Sequence, residues 1–367
     1  MEEGTRPETA QFTRYICSVQ SFSRRNLRRM SSLVVPGVVV AGLLLASMPS
    51  VAGSTTTTTT TTVPPTTTTT VRPPTTTTTI PRRRSDLPWP VRGSAAVVIP
   101  KLNVAASSPY QPRVPIASLT KLMSAWIVLH RYPLAYAQRG PCVTVSASDF
   151  AAYQHDVATG QSSVKIAEGL TLCEGILLRG LFVHSAGDYV ELLVKLMGMN
   201  PKQFVALMNR DAAALGLHHT HYVDYTGISP GDISTARDQA MLAVDLMSHE
   251  QIVRQIVALT EVALPVAGEV YTYTPLLGNY GVIGVKSGYT GAAGGCDVMA
   301  INVVLNHSLY VTYAAVLGQH GADPLALAGQ AALVLSRKLR ASMAVIANRS
   351  SRVVKWIGSP YDLAWRS

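Results

Sequence analysis

Charge is scarce in this 367-residue chain: Asp, Glu, Lys and Arg together make up 14% of it, against 47% apolar residues. That balance excludes a wholly disordered polymer, which combines high charge with little to bury. No apolar run reaches the length of a comfortable membrane span, which argues against a polytopic membrane protein. Lysine is missing from residues 1–92, which hold 11 Arg against 4 acidic residues, a balance of +7. Residues 93–367 hold 20 basic and 17 acidic residues, a balance of +3, so most of the formal +10 lies outside the part that can fold. No basic stripe is present to hold a phosphate backbone, and nucleic acid is excluded as a partner. Cysteine is limited to four residues, none in C-x-x-C spacing, which argues against a structural zinc site.

The arginine-only region has its own logic. Arg24, Arg25, Arg28 and Arg29 precede the apolar segment Leu33–Met48, which exits through Ser50-Val51-Ala52. Basic region, apolar region and small-residue exit describe a secretory signal in residues 1–52. Cleavage would free the chain; retention would attach it to the membrane through this segment. Ser23-Arg24-Arg25-Asn26-Leu27 resembles a twin-arginine signal, with an ordinary basic leader as the alternative. Residues 53–90 are dominated by threonine tracts at 55–62, 66–70 and 75–79, broken by prolines. Such a segment buries too little to offset its chain entropy, and reads as an extended spacer. An exported domain held off by a spacer suits a cell wall or the outer face of the cytoplasmic membrane.

The folded part is expected over residues 91–342, with a short tail at 343–367. Ser94–Ile99 and Val104–Ala106 read as paired strands. Leu119–His130 reads as a helix apolar on both faces and therefore buried, with Ser118 at its start. Thr171–Glu174 has capping-box form and opens a helix to Val183. His184–Gly187 breaks it, and Asp188–Met197 resumes helical spacing. Asn200-Pro201 opens a helix that stops at Gly216, and Thr235 caps another to Met247. From Glu261 the period shifts toward two, giving strands at Glu261–Leu264, Tyr271–Thr274, Val282–Val285, Val298–Leu305 and Leu309–Leu317. Asp323-Pro324 opens a closing helix to Leu339. Strands at both ends with helices between predict an α+β fold: one antiparallel sheet completed by both chain ends, with an inserted helical subdomain.

Export would place Cys142, Cys173 and Cys296 where disulfides form. Cys142 and Cys173 sit beside segments that could pair, so a bridge is one reading and free thiols the other. Cys296 reads as a small buried hydrophobe. His218, His219 and His221 have no acidic or cysteine partner at ligand spacing and read as surface or packing residues.

The chemistry centres on Ser118 and Lys121. At i and i+3 they share a helix face, the helix start offers N–H groups to an oxyanion, and burial would lower the lysine pKa toward that of a base. S-x-x-K alone is weak, and Ser162–Lys165 matches it too, in a glycine-bounded segment where the match reads as chance. The first match gains from Ser185-Ala186-Gly187 in the helix break and Lys286-Ser287-Gly288 at a strand end, followed by Tyr289 and Thr290.

With those three elements in that order, and with PIASLTKLMSA, FVALMNRDAAALGL, YTGIS, STARDQA and GVKSGYTGAAGGC around them, residues 94–342 resemble the serine D-alanyl-D-alanine carboxypeptidases, the low-molecular-weight penicillin-binding proteins. The resemblance implies a DD-peptidase/β-lactamase-like fold and trimming of the terminal D-Ala from peptidoglycan stem peptides. It also implies covalent inhibition by β-lactams and no cofactor or metal. Motif by motif, it assigns Ser118 as nucleophile, Lys121 as base and Ser185 as a proton relay. Lys286 and Ser287, with Gly288, Tyr289 and Thr290, form the substrate strand, and the Ser118 and Tyr289 N–H groups receive the oxyanion. Gly187 stands where the family's S-x-N motif has asparagine, and Asp188 is a candidate substitute. No Arg or Lys lies between Lys286 and Arg337 to share in carboxylate capture. Two alternatives stay open: a wall-binding pseudoenzyme with little turnover, or an endopeptidase or transpeptidase of the same fold.

Overall fold

A computed structural model describes residues 87–349 apart from residue 136. The signal region, the spacer before residue 87 and residues 350–367 lie outside the described residues. In chain order the strands are β1 (Ser94–Ile99), β2 (Val104–Ser107), β3 (Val114–Pro115), β4 (Cys142–Thr144), β5 (Thr171–Cys173), β6 (Ile233–Ser234), β7 (Glu261–Leu264), β8 (Gly268–Tyr271), β9 (Val282–Thr290), β10 (Gly294–Leu305) and β11 (Ser308–Gln319). The helices are α1 (Thr120–Arg131), α2 (Ala147–Ala158), α3 (Glu174–Val183), α4 (Gly187–Leu196), α5 (Pro201–Ala214), α6 (Ala236–His249), α7 (Gln251–Ile256) and α8 (Pro324–Arg349).

The fold is α+β. Its main sheet runs β2-β1-β11-β10-β9, antiparallel throughout, so strands from early and late in the described residues close one sheet around a helical insertion. β1, SAAVVI, has no polar alternation because both its faces are covered. Ala96 and Val98 join the core under the inserted helices, while Ala95, Val97 and Ile99 join the core under α8. Asn306 and His307 take positive φ in the β10–β11 turn, as a tight hairpin requires. β9 lies at the sheet edge, against the turn that carries Ser118.

The helix from Asn200-Pro201 has the expected cap, with Asn200 and Gln203 bonding each other's backbone N–H groups. The helix start at Thr171 needs correction. Thr171–Cys173 is a strand paired with Cys142–Thr144, and α3 begins at Glu174 without a side-chain cap. A Cys142–Cys173 disulfide joins the directly opposed residues, and that covalent tie with its ladder outweighs a local capping preference. Among other differences, α2 and α7 carried no strong periodic signal, β9 runs on to Thr290, β8 sits at 268–271, and α8 continues past residue 342 to Arg349. Among the described residues, no helix is long and apolar enough to cross a membrane.

Candidate active site

Ser118 sits in a 3-10 turn, Ala117–Leu119, that runs straight into α1. Two glycines allow other chain segments to reach its backbone. A Cβ on Gly227 (φ +88°) would lie 1.9 Å from the Ala117 carbonyl oxygen, and one on Gly288 would lie 2.7 Å from the Ser118 nitrogen. Ser118 is thus clamped between residues 223–232 on one side and β9 on the other.

Residues 223–232 are shaped by two carboxylates. Asp224 accepts N–H bonds from Thr226, Gly227 and Ser229, each at 2.6 Å. Asp232 accepts from the Val223 and Asp224 N–H groups and from the Thr120 hydroxyl. Three polar side chains in the first turns of α1 bind this loop: Thr120 to Asp232, Lys121 to the Thr226 carbonyl at 2.6 Å, and Ser124 to the Tyr225 carbonyl at 2.7 Å. Lys121 also donates to Ser118 Oγ at 3.0 Å.

Lys121 is 3% exposed. Burial pulls its pKa down from the usual lysine value to about 8, and nearby Asp224, Asp188, Asp232 and Asp156 oppose that fall. Asp188 does not bond to Lys121. Its carboxylate accepts from the Val164 N–H at 3.1 Å, and burial lifts its pKa to about 7. The acceptor bound by Lys121, beyond Ser118 itself, is the Thr226 carbonyl; sequence reading missed it because a backbone oxygen has no residue signature. Gly187 donates its N–H to the Ser162 carbonyl at 2.7 Å. A Cβ there would meet that oxygen at 3.5 Å and Thr226 Cγ2 at 3.9 Å, so the backbone leaves room for a side chain. Lys165 of the second S-x-x-K match is exposed in irregular chain.

Ser185, at positive φ in the break between α3 and α4, accepts from Lys286 Nζ at 2.9 Å. The same nitrogen donates to the Ser287 carbonyl at 2.7 Å. Lys286 is 1% exposed; burial, and then the charge of Lys121, push its pKa well below the usual lysine range. Asp297, directly across the ladder from Ser287, is fully buried with both oxygens unpartnered. Burial drives its pKa well up, and the field of Lys286 opposes this. The Ser287 hydroxyl donates to the Tyr273 carbonyl at 2.8 Å. Tyr289 is exposed, and Thr290 accepts from the Ala293 N–H within the β9–β10 turn. Cys296 is buried, with its thiol pushed up to about 12 by burial. His218, His219 and His221 are exposed, and among the described residues no three metal-type ligands converge.

The structure therefore brings the Ser118–Lys121 and Ser185–Lys286 pairs together where the turn before α1, the helix break and the sheet edge meet. A serine beside a desolvated lysine, with a second lysine on a nearby hydroxyl, is equipped for acyl transfer.

The family model described as Peptidase S11, D-alanyl-D-alanine carboxypeptidase, matches residues 96–309. The D-alanyl-D-alanine carboxypeptidase DacF of Bacillus subtilis is 26% identical over 189 residues, covering 50% of this chain and 47% of that protein. DacD of Escherichia coli, a D-alanyl-D-alanine carboxypeptidase, is 34% identical over 148 residues, covering 40% of this chain and 38% of that protein. This chain spans less than half the length of these curated relatives. Among solved structures, penicillin binding protein 6B from Escherichia coli aligns with a TM-score of 0.58 and 25% identity, covering 70% of this chain and 80% of that one. The Streptomyces K15 DD-transpeptidase aligns at 0.57 and 22% identity, covering 68% and 97%, a likeness of fold.

Proposed function

Because the chain belongs to the Peptidase S11 family of D-alanyl-D-alanine carboxypeptidases, we propose that it removes the terminal D-Ala from peptidoglycan stem peptides through an acyl-enzyme on Ser118. The observation that carries this reading is the 3.0 Å contact between Lys121 Nζ and Ser118 Oγ, made by a buried lysine with a pKa near 8.

In its neutral form Lys121 takes the Ser118 proton as Oγ attacks the carbonyl of the penultimate D-Ala. The oxyanion forms toward the Ser118 and Tyr289 N–H groups. Ser185, with Lys286 behind it, passes a proton to the departing D-Ala amine, balancing the one that Lys121 removed. Lys286 and Ser287 hold the terminal carboxylate, whose arrival supplies the counter-charge that favours the ammonium form of Lys286. Water then hydrolyses the ester: as it attacks it gives a proton back to the Ser185–Lys286 pair, and Lys121 returns its proton to Ser118 Oγ as the serine leaves. β-Lactams enter the same path and stop at the ester. Family, disulfide and leader together support action outside the cytoplasm, in the wall or at the membrane's outer face; the catalytic domain is proposed as residues 91–342.

Gly187 favours the pseudoenzyme alternative, but the Thr226 carbonyl already fixes Lys121 on Ser118, which favours turnover. Release of D-Ala from a pentapeptide stem, compared with Ser118→Ala, tests the choice. Release abolished by the substitution supports the enzyme; binding without release supports the pseudoenzyme.

A further inference from the structure

Two partly exposed rings flank the proposed carboxylate pocket and have no part in the acylation scheme. His184 directly precedes Ser185 at the end of α3, and Tyr273 lies between β8 and β9. Their ring centroids are 4.7 Å apart, with 36° between the planes. Tyr273 Oη lies 3.2 Å from His184 Nε2, and His184 Nδ1 lies 3.0 Å from the Tyr271 carbonyl. A carbonyl only accepts, so in the neutral ring Nδ1 carries the proton and Nε2 accepts from the tyrosine hydroxyl. The backbone is tied as well: the Tyr273 N–H donates to the Val183 carbonyl at 3.3 Å, and the Tyr273 carbonyl accepts from Ser287 Oγ.

The pair is therefore fastened to both the helix break bearing Ser185 and the strand bearing Lys286 and Ser287. Tyr273 is still 44% exposed. A ring held by its hydroxyl, its N–H and its carbonyl, yet left open to solvent, is not explained by core packing.

We infer that His184 and Tyr273 form a specificity wall on the leaving-group side, restricting the departing group to a small free amino acid. The inference rests on the acyl-enzyme reading above, which sends the leaving group toward Lys286 and Ser287. A terminal D-alanine ends in the carboxylate held there, and nothing extends beyond it. In a cross-linked stem the departing amine belongs to a second peptide, which continues outward and meets the rings. The pair thus selects carboxypeptidase over endopeptidase cleavage, and no bond-making step beyond those above is needed.

The test offers a monomeric pentapeptide stem and a cross-linked stem dimer to the full chain in one reaction and takes the ratio of the two cleavage rates. Tyr273→Ala is expected to raise the dimer-to-monomer ratio by about 10-fold, the size of effect that a single wall contact exerts on discrimination. His184→Ala should move the ratio the same way, and Tyr273→Phe, which keeps the ring, should move it less. A ratio unchanged or lowered in both alanine variants overturns the inference. The ratio is internal to each variant, so a general loss of activity cancels; if Tyr273→Ala loses its cooperative melt, His184→Ala decides. Penicillin uptake by the unaltered chain is measured first. An unacylated parent overturns the acyl-enzyme reading and this inference with it, whereas an acylated parent with an unchanged ratio overturns this inference alone.

Discussion

Lys121 is under two opposed influences, and their balance decides how well it serves in the base role proposed for it. Burial lowers its pKa to about 8, while four carboxylates, Asp224 and Asp188 foremost, pull the other way. In the proposed mechanism only the neutral amine takes the Ser118 proton, so acylation by penicillin should climb with pH through about 8. Asp188 is itself raised to about 7 by burial, so its charge acts above that pH. Asp188→Asn removes a charge that favours the ammonium form; the lysine then loses its proton more readily, and the climb should shift to lower pH. Second-order acylation rates measured across pH check this, and a shift upward contradicts it. Gly187→Asn probes the other unusual position. A Cβ there has ordinary contacts and the φ of Gly187 is not positive, so the backbone admits a side chain beside Thr226. One added polar contact should raise the acylation rate about 10-fold; a fall would show that the open space itself is needed. Ser118 and Lys121 were legible because a lysine in an apolar helix needs a partner. Thr120 and Ser124 belonged to the same signal, since all three bind residues 223–232, but their partners Asp232, Thr226 and Tyr225 lie about 100 residues away in sequence.

At the level of elements, the site depends on how closely three segments approach. Gly227 is the sharpest case, with its Cβ position 1.9 Å from the Ala117 oxygen. Gly227→Ala must displace either residues 223–232 or the turn bearing Ser118, and a shift of about 1 Å can cost on the order of 100-fold in rate. Penicillin uptake should fall by about that factor in protein that still melts cooperatively; uptake within twofold of the parent would contradict the clamp. The helices from Asn200 and Thr235 were legible because cap residues act locally. The helix start at Thr171 was not, because pairing with Cys142–Thr144 comes from 30 residues upstream. β9 was read too short because Lys286–Thr290 is a polar-and-glycine run that becomes a strand only by pairing with Gly294–Val298.

Across the whole molecule, strands from early and late in the described residues close one sheet and a helical insertion covers it, which the order of periodicities made legible. Within the insertion, Cys142–Cys173 covalently closes a loop with a sequence separation of 31. Removing that constraint should cost about 3–4 kcal/mol by the chain-entropy relation. Thermal melts with and without reductant should show Tm several degrees lower when reduced; an unchanged Tm would contradict the bridge. The turn before α1, the helix break and the edge strand meet, and in the function proposed above their meeting makes Ser118 a working nucleophile without the asparagine. Intact-mass and peptide mapping after brief exposure to penicillin test it most directly. One penicillin per chain is expected, on Ser118 and absent from Ser118→Ala. Folded, unlabelled protein, or label retained in Ser118→Ala, would contradict it.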